Sequence, residues 1–155
     1  MPFQMFHDLF PDLAERETRC ITVMDNATAG LPPGSYYFHE MFCNEQGCDC
    51  RRVFWYVVSS VRNDVETVIA WGWEKPAFYA KWLSNPDPHD VAELKGPILN
   101  MGSPHTAHAP AILEMAREVL LRDSDYIARI KRHYGLFRGQ IDGKGSGKKK
   151  RRKGR

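Results

Sequence analysis

Residues 51–60 read RRVFWYVVSS, in which six apolar or aromatic residues follow one another from Val53 to Val58. A short, unbroken run of β-branched and aromatic residues predicts a central strand that is covered on both faces. A polar turn over residues 62–64 follows it. Residues 65–73 then alternate, with Ile69 and Trp71 on one face, and this pattern predicts a neighbouring strand.

Two further strands precede this pair. Residues 17–24 alternate, which predicts a half-buried strand, and residues 35–43 are rich in the aromatic residues that favour strands. The connection over residues 44–49 contains Gly47 and is short enough for a hairpin. The sequence therefore predicts an antiparallel sheet of about four strands in the N-terminal half of the chain.

Helical patterns dominate the second half of the chain. Asp87 and Pro88 form a helix cap and first turn, and Gly96 is a helix stop. The last helix begins at Asp123 or Ser124 and carries an apolar stripe at helical spacing. The other predicted helices cover residues 11–16, 76–83 and 110–122. Strands followed by helices favour an α+β fold, in which helices mainly from the C-terminal half pack on the sheet.

Charge is distributed unevenly along the 155 residues, which include 22 Lys or Arg and 19 Asp or Glu. Residues 143–155 contain eight of the bases and no acid. Subtracting these eight from the 22 leaves 14 bases against 19 acids, a net charge of about −5 for the remainder. A Gly-rich, self-repelling terminal segment predicts disorder. We therefore expect one globular domain over residues 1–139 and a disordered basic tail over residues 140–155.

The basic tail is the expected contact with other molecules. A run of bases attracts phosphate without sequence preference, so nucleic acid or the ribosome is the expected partner. The acidic body has no overall field that would attract a polyanion. The residues predicted to contact nucleic acid are Lys148, Lys149, Lys150, Arg151, Arg152 and Lys153.

The composition favours neither a membrane protein nor a secreted one. No apolar run approaches the roughly 20 residues that span a bilayer, and the N-terminus lacks the basic and apolar regions of a secretory signal. The four cysteines, three of them close together, indicate cytosolic thiols or metal ligands rather than a disulfide framework. We therefore expect a cytoplasmic protein with no membrane partner.

Cys43, Cys48 and Cys50 form a C-x4-C-x-C pattern around Gly47. A tight loop with a glycine can direct several thiolates at one point, as a tetrahedral zinc site requires. Arg51 and the arginine after it are expected to favour thiolate over thiol. The pattern therefore predicts zinc as a cofactor. The alternative is a set of buried or surface thiols around a hairpin turn.

His39 is the first candidate for a fourth zinc ligand. It precedes Cys43 by four residues, so in a straight strand the two Cα atoms lie about 13 Å apart. A bulge or a helical turn would be needed for both side chains to reach one ion. The rivals are His105 and His108, in the loop before a predicted helix, and Cys20. The alternative for each histidine is an ordinary structural or exposed role.

Two segments carry resemblances to known proteins. The sequence GSGKK at residues 145–149 resembles the middle of the small zinc-binding SEC-C motif of bacterial C-termini, but the tail lacks the metal ligands of that motif. In the body, YFHEMFC at residues 37–43, CDCRR at 48–52 and IKRHY at 130–134 resemble an uncharacterised bacterial protein family. That resemblance implies a bacterial cytosolic protein and supplies no activity.

Three classes of function remain open. The favoured class is a non-enzymatic domain with a structural zinc site and a basic arm that contacts nucleic acid. The alternatives are a metal-free protein-interaction module and a metalloenzyme whose zinc keeps one open coordination position. We single out no catalytic residue, because the sequence has no nucleophile elbow, no H-E-x-x-H pattern and no glycine-rich loop between a strand and a helix.

The remaining conspicuous side chains are expected to have structural roles. The four Trp residues are predicted to pack in the core rather than to stack on bases. In the last helix, Arg129, Lys131, Arg132 and His133 lie opposite the apolar stripe and are predicted to form a solvated face.

Overall fold

The computed structural model describes the backbone of residues 3–25 and 30–153, and the side chains of residues 3–25 and 30–143. Within these ranges the chain forms six strands, six α-helices and one π-helical segment. The strands are β1 (Phe3–Met5), β2 (Arg19–Val23), β3 (Gly34–Cys43), β4 (Arg52–Ser59), β5 (Asp64–Gly72) and β6 (Ile98–Leu99). The helices are α1 (Phe6–Leu9), α2 (Pro11–Glu17), α3 (Pro76–Ala80), α4 (Pro88–Lys95), α5 (Ala109–Met115), which the π-helical segment Ala116–Leu120 continues, and α6 (Ser124–Lys153).

The strands form one antiparallel sheet in the order β1-β3-β4-β5-β6, and β2 pairs with the first half of β3. β1 occupies the second half of the same edge, where Phe3 lies opposite Cys43. The predicted α+β fold is confirmed. The prediction of about four strands is too low. β1 has three residues and β6 has two, and segments this short do not show the alternation that identifies a strand.

One face of the sheet packs against α5, the π-helical segment and α6. Trp55 is fully buried in this layer and stacks on Trp71, with ring centroids 5.8 Å apart. Its indole N–H donates a hydrogen bond of 3.0 Å to the hydroxyl of Tyr126 in α6. Core packing is therefore confirmed for Trp55 and Trp71, whereas Trp82 is 50% exposed. The helices contribute the buried side chains Ile112, Met115, Leu120, Ile130 and Phe137.

The opposite face of the sheet carries a smaller apolar cluster. Phe54 is buried there with Val68 and Ala70. Phe3 packs on Phe54, with ring centroids 3.8 Å apart. Side chains from α3 and α4, among them Tyr79, approach the end of β3 and the start of β4 on this face.

Helix α6 links the core to the C-terminal segment. It passes residue 139, packs Ile141 against the core and places Asp142 on the β3–β4 connection. Its backbone continues as a helix to Lys153, through the segment whose composition predicts disorder. The side chains of the predicted nucleic-acid-binding residues lie outside the described part of the chain. The domain boundary and the binding role of the tail therefore remain predictions.

Among the described residues, no helix combines the length and apolar character needed to cross a membrane.

Candidate metal centre

The three cysteines of the C-x4-C-x-C pattern converge. Cys43 is the last residue of β3, and Cys48 and Cys50 lie in the connection to β4. Their Sγ atoms all lie within 4.8 Å of one another. Sulfur ligands 2.3 Å from a tetrahedral zinc ion are separated by about 4 Å. The arrangement is therefore compatible with three ligands to one ion.

The backbone between Cys43 and Arg52 turns through two left-handed residues. Gly47 has φ 78° and Arg51 has φ 48°. Glycine adopts this region without strain, whereas arginine does so only where contacts hold it. A hydrogen bond of 3.2 Å from the Cys48 N–H to the Glu45 carbonyl closes the turn before Cys48.

Two tyrosine hydroxyls hold Arg51 in its unusual conformation. The Arg51 N–H donates to the hydroxyl of Tyr134 in α6 (3.2 Å), and the hydroxyl of Tyr79 in α3 donates to the Arg51 carbonyl (2.8 Å). The Tyr134 hydroxyl in turn donates to Asp49 (3.0 Å). Both backbone groups of this residue are thus paired, and the segment that carries Cys48 and Cys50 is fixed from two helices.

The start of the loop is held by Arg138 and Asp142 of α6. The Arg138 guanidinium donates to the carbonyl oxygens of Cys43 and Glu45. It also contacts Asp142 at 3.0 Å, and Asp142 accepts a hydrogen bond of 2.9 Å from the Gly47 N–H. Arg138 and the Gly47 N–H hold the pKa of Asp142 below its usual range. Sequence analysis did not identify Arg138 or Asp142, which lie more than 90 residues from their partners.

Burial raises the pKa of two of the three thiols, Cys48 and Cys50. Burial, together with the neighbouring Cys50 and Cys43, raises the pKa of Cys48 to about 12. Burial likewise raises the pKa of Cys50. The Arg51 guanidinium pairs with Asp49 at 2.9 Å and with Glu74 at 3.2 Å. Arg52 acts on Cys50 as expected, since its positive charge lowers the pKa of that thiol, but burial outweighs this effect. Binding of a metal ion would therefore have to displace the protons of Cys48 and Cys50.

The predicted fourth ligands lie elsewhere. Within the described residues, the group of metal-ligating atoms at this site consists of the three cysteines. His39 pairs with Tyr56 inside the regular β3 strand, and its ring faces His7 with centroids 5.9 Å apart. Cys20 lies on β2 opposite Tyr37. The structure does not bring His39 or Cys20 to the cysteine group.

The two rival histidines serve the loop before α5. His105 contacts the Thr67 hydroxyl through Nδ1 (2.7 Å) and the Asn100 carbonyl through Nε2 (2.8 Å). His108 contacts the carboxylate of Glu66 at 3.2 Å. Glu66 is fully buried and also accepts hydrogen bonds from the hydroxyls of Ser59 (2.7 Å) and Thr106 (2.6 Å). These contacts anchor the loop to β5, which is a structural role.

A cavity of about 230 Å³ lies beside the sulfur atoms. Arg52, the first residue of β4, lines it together with the three thiols. The charged groups that act on Arg52 among the described residues are Cys50 and Tyr79 rather than a carboxylate, and its buried Nε atom has no hydrogen-bond partner among them. Burial lowers the pKa of this guanidinium from its ordinary value. The other lining residues are Phe3, Glu45, Phe54, Tyr79, Trp82 and Leu94.

A buried ionisable group lies on the other face of the sheet. His133 is 1% exposed, and its ring nitrogens contact Glu40 and Glu17, each at 2.7 Å. Glu40 is also buried and accepts a hydrogen bond from Tyr126. The prediction that His133 belongs to a solvated face is therefore wrong. The alternation of residues in β3 could have indicated that Glu40 is buried, because Glu40 shares a face with the buried Phe38.

Comparison of this chain with protein-family models, with curated proteins and with solved structures finds no match. The resemblances to the SEC-C motif and to a bacterial protein family therefore remain predictions.

Proposed function

We propose that this protein is a zinc-binding domain in which Cys43, Cys48 and Cys50 hold one ion that braces the β3–β4 connection. The observation that supports the proposal is the convergence of three sulfur atoms within 4.8 Å in a loop fixed by side chains from α3 and α6. Thiolate ligands select soft or borderline ions, and zinc is the common structural ion with this ligand type.

The role of the ion in this proposal is structural. An ion bound by these residues joins the last residue of β3 to the residues that lead into β4, so it links two central strands of the sheet. Arg138 and Tyr134 hold the loop through hydrogen bonds to the ligand segment. Such supporting contacts orient ligands and are typical of metal sites.

Metal content tests this proposal. Full-length protein purified under reducing conditions is expected to contain about one zinc per chain by elemental analysis. A Cys50→Ser variant is expected to lose the metal, whereas Cys20→Ser, which changes the cysteine distant from the site, is expected to retain it. A wild-type chain with no metal and four freely titratable thiols would contradict the proposal and favour the metal-free interaction module.

We propose the basic tail as a second function, a nucleic-acid-binding arm. The supporting observation is the concentration of eight bases in residues 143–155, against an acidic remainder. A segment of this kind neutralises several phosphates and gives weak, sequence-independent binding that decreases steeply with salt. A solubilising tail without a partner is the competing explanation, and the truncation described in the Discussion separates the two.

A further inference from the structure

The three thiols of the proposed zinc site are also walls of the cavity on the second face of the sheet. Cys43, Cys48 and Cys50 line it, and the described residues supply no fourth ligand atom within the same 4.8 Å group. A tetrahedral ion held by three protein ligands keeps one position for a ligand from outside. Because all three thiols line the cavity, a ligand inside it lies next to the proposed ion.

Arg52 gives the cavity a chemical preference. It lines the cavity, carries five N–H donors and pairs with no carboxylate among the described residues. Its guanidinium carbon lies 4.9 Å from the centroid of the Phe54 ring, which orients the charged group along an apolar wall. A guanidinium in such surroundings is satisfied best by an oxygen anion, and carboxylate matches its geometry.

The remaining walls are apolar. Phe3, Phe54, Leu94 and the half-exposed Trp82 line the cavity. Glu45 is the acid on the lining, and its side chain is exposed to solvent. The volume of about 230 Å³ is below the range typical of drug-sized ligands, so the cavity suits a small molecule.

We propose that the cavity binds a small monocarboxylate with an apolar body, whose carboxylate occupies the fourth position of the metal ion and accepts hydrogen bonds from Arg52. This inference rests on the proposed zinc site. Three thiolates and one carboxylate around a divalent ion leave a double negative charge, the same as in a four-cysteine site. Arg52 halves that charge, so it makes an anionic fourth ligand favourable in a partly buried position.

Cobalt substitution tests the inference on the full-length chain. Co²⁺ replaces zinc in such sites, and its visible spectrum reports the ligands of the ion. Phenylacetate is the probe, and phenylacetamide is the neutral control of the same shape. Phenylacetate is expected to shift the cobalt bands in a saturable way, and phenylacetamide is expected to leave them unchanged.

Variants assign the contacts. Arg52→Met is expected to retain cobalt and to weaken phenylacetate binding by about tenfold or more, the effect of losing charge-assisted hydrogen bonds. Arg16→Met, which changes an exposed arginine on α2, is expected to bind phenylacetate as the wild type does. Glu45→Gln is expected to leave the spectrum of the cobalt-loaded chain unchanged, because this proposal assigns no metal ligand to Glu45.

The possible failures are distinguishable. A cobalt-loaded chain whose spectrum does not respond to phenylacetate overturns this inference and leaves the zinc site in place. An altered spectrum in Glu45→Gln shows that the protein supplies the fourth ligand, which also overturns it. A chain that takes up neither zinc nor cobalt overturns the proposed function and this inference together.

Discussion

Arg138 in α6 donates a hydrogen bond to the carbonyl oxygen of Cys43 at the end of β3, although 95 residues separate them in sequence. The same guanidinium donates to the Glu45 carbonyl at 2.8 Å. One helical side chain thus positions the start of the cysteine loop through the backbone rather than through the thiols. Its effect on metal affinity can therefore be measured without changing a ligand.

Replacement of Arg138 by Met is expected to lower the affinity for zinc by about 10- to 100-fold, the usual effect of losing a contact that positions metal ligands. The physical reason is that the Cys43 and Glu45 carbonyls lose their donor and the loop must be ordered when the ion binds. Competition with a chromophoric chelator measures the change. Lys131→Met, which alters an exposed base on the same helix, is the control. Equal affinity in wild type and Arg138→Met would falsify the positioning role.

The pair of carboxylates around His133 predicts a pH-dependent stability. Burial alone would lower the pKa of His133, but hydrogen bonds and charge from Glu40 and Glu17 outweigh it and raise the pKa above the ordinary value of 6.5. The stabilisation that protonated His133 contributes to the fold is therefore complete below about pH 6.5, and it is lost as the pH rises through the folded-state pKa of His133. The hydrogen bond from His133 lowers the pKa of Glu17. The contribution of ionised Glu17 to folding stability is therefore lost only as the pH falls through a value below 4.5.

His133→Gln is expected to lower the free energy of unfolding by about 3 kcal/mol near pH 6, because Glu40 then remains buried without its cationic partner. The difference from wild type should shrink as the pH rises through the folded-state pKa of His133. Urea unfolding over a pH series measures both quantities. His89→Gln, at a site where the side chain is 79% exposed, serves as the control. A difference that is constant with pH would show that His133 is not protonated in the folded protein.

Deletion of residues 143–155 is expected to leave the melting temperature almost unchanged, because the described core contacts end with Ile141 and Asp142. A shorter chain that ends at Phe137 also loses Arg138, and we expect it to melt several degrees lower and to bind zinc more weakly. Thermal unfolding of the two shortened chains beside the full chain measures the effect. A drop of several degrees for the longer one would show that the tail packs on the body.

Nucleic-acid affinity is expected to reside in the tail. The full chain should bind single-stranded RNA and duplex DNA weakly at low salt and lose that binding steeply as salt rises. The chain that ends at Asp142 should bind neither. Titrations at two salt concentrations measure this. If the shortened chain binds as tightly as the full one, the arm hypothesis is wrong and exposed aromatic side chains such as Trp82 become the candidates.

The sheet was predictable from sequence where strands are long enough to show a pattern. The apolar run at residues 53–58 and the alternation around Ile69 appear as the paired strands β4 and β5. β1 and β6 escaped prediction because three and two residues carry no periodicity, and only pairing with a longer strand defines them.

The candidate site was predictable only in its local part. The spacing of Cys43, Cys48 and Cys50 indicated the cluster, since a short loop limits how far its residues can separate. Arg138 and Asp142 could not be inferred, because tertiary packing of α6 brings them to the loop. His39 shows the opposite case, since a sequence distance of four residues does not become proximity in an extended strand.

The position of Arg138 and Asp142 near the C-terminal end of the described side chains has a thermodynamic consequence. The helix that holds the cysteine loop continues into the basic tail. A partner that draws the end of this helix away from the body would break the contacts to Cys43 and Gly47, and would thereby weaken the hold on a bound ion. By linkage the ion would oppose that partner by the same factor. Occupancy of the metal site would then lower the affinity of the tail for its partner, and a bound partner would lower the affinity of the cysteine loop for the ion.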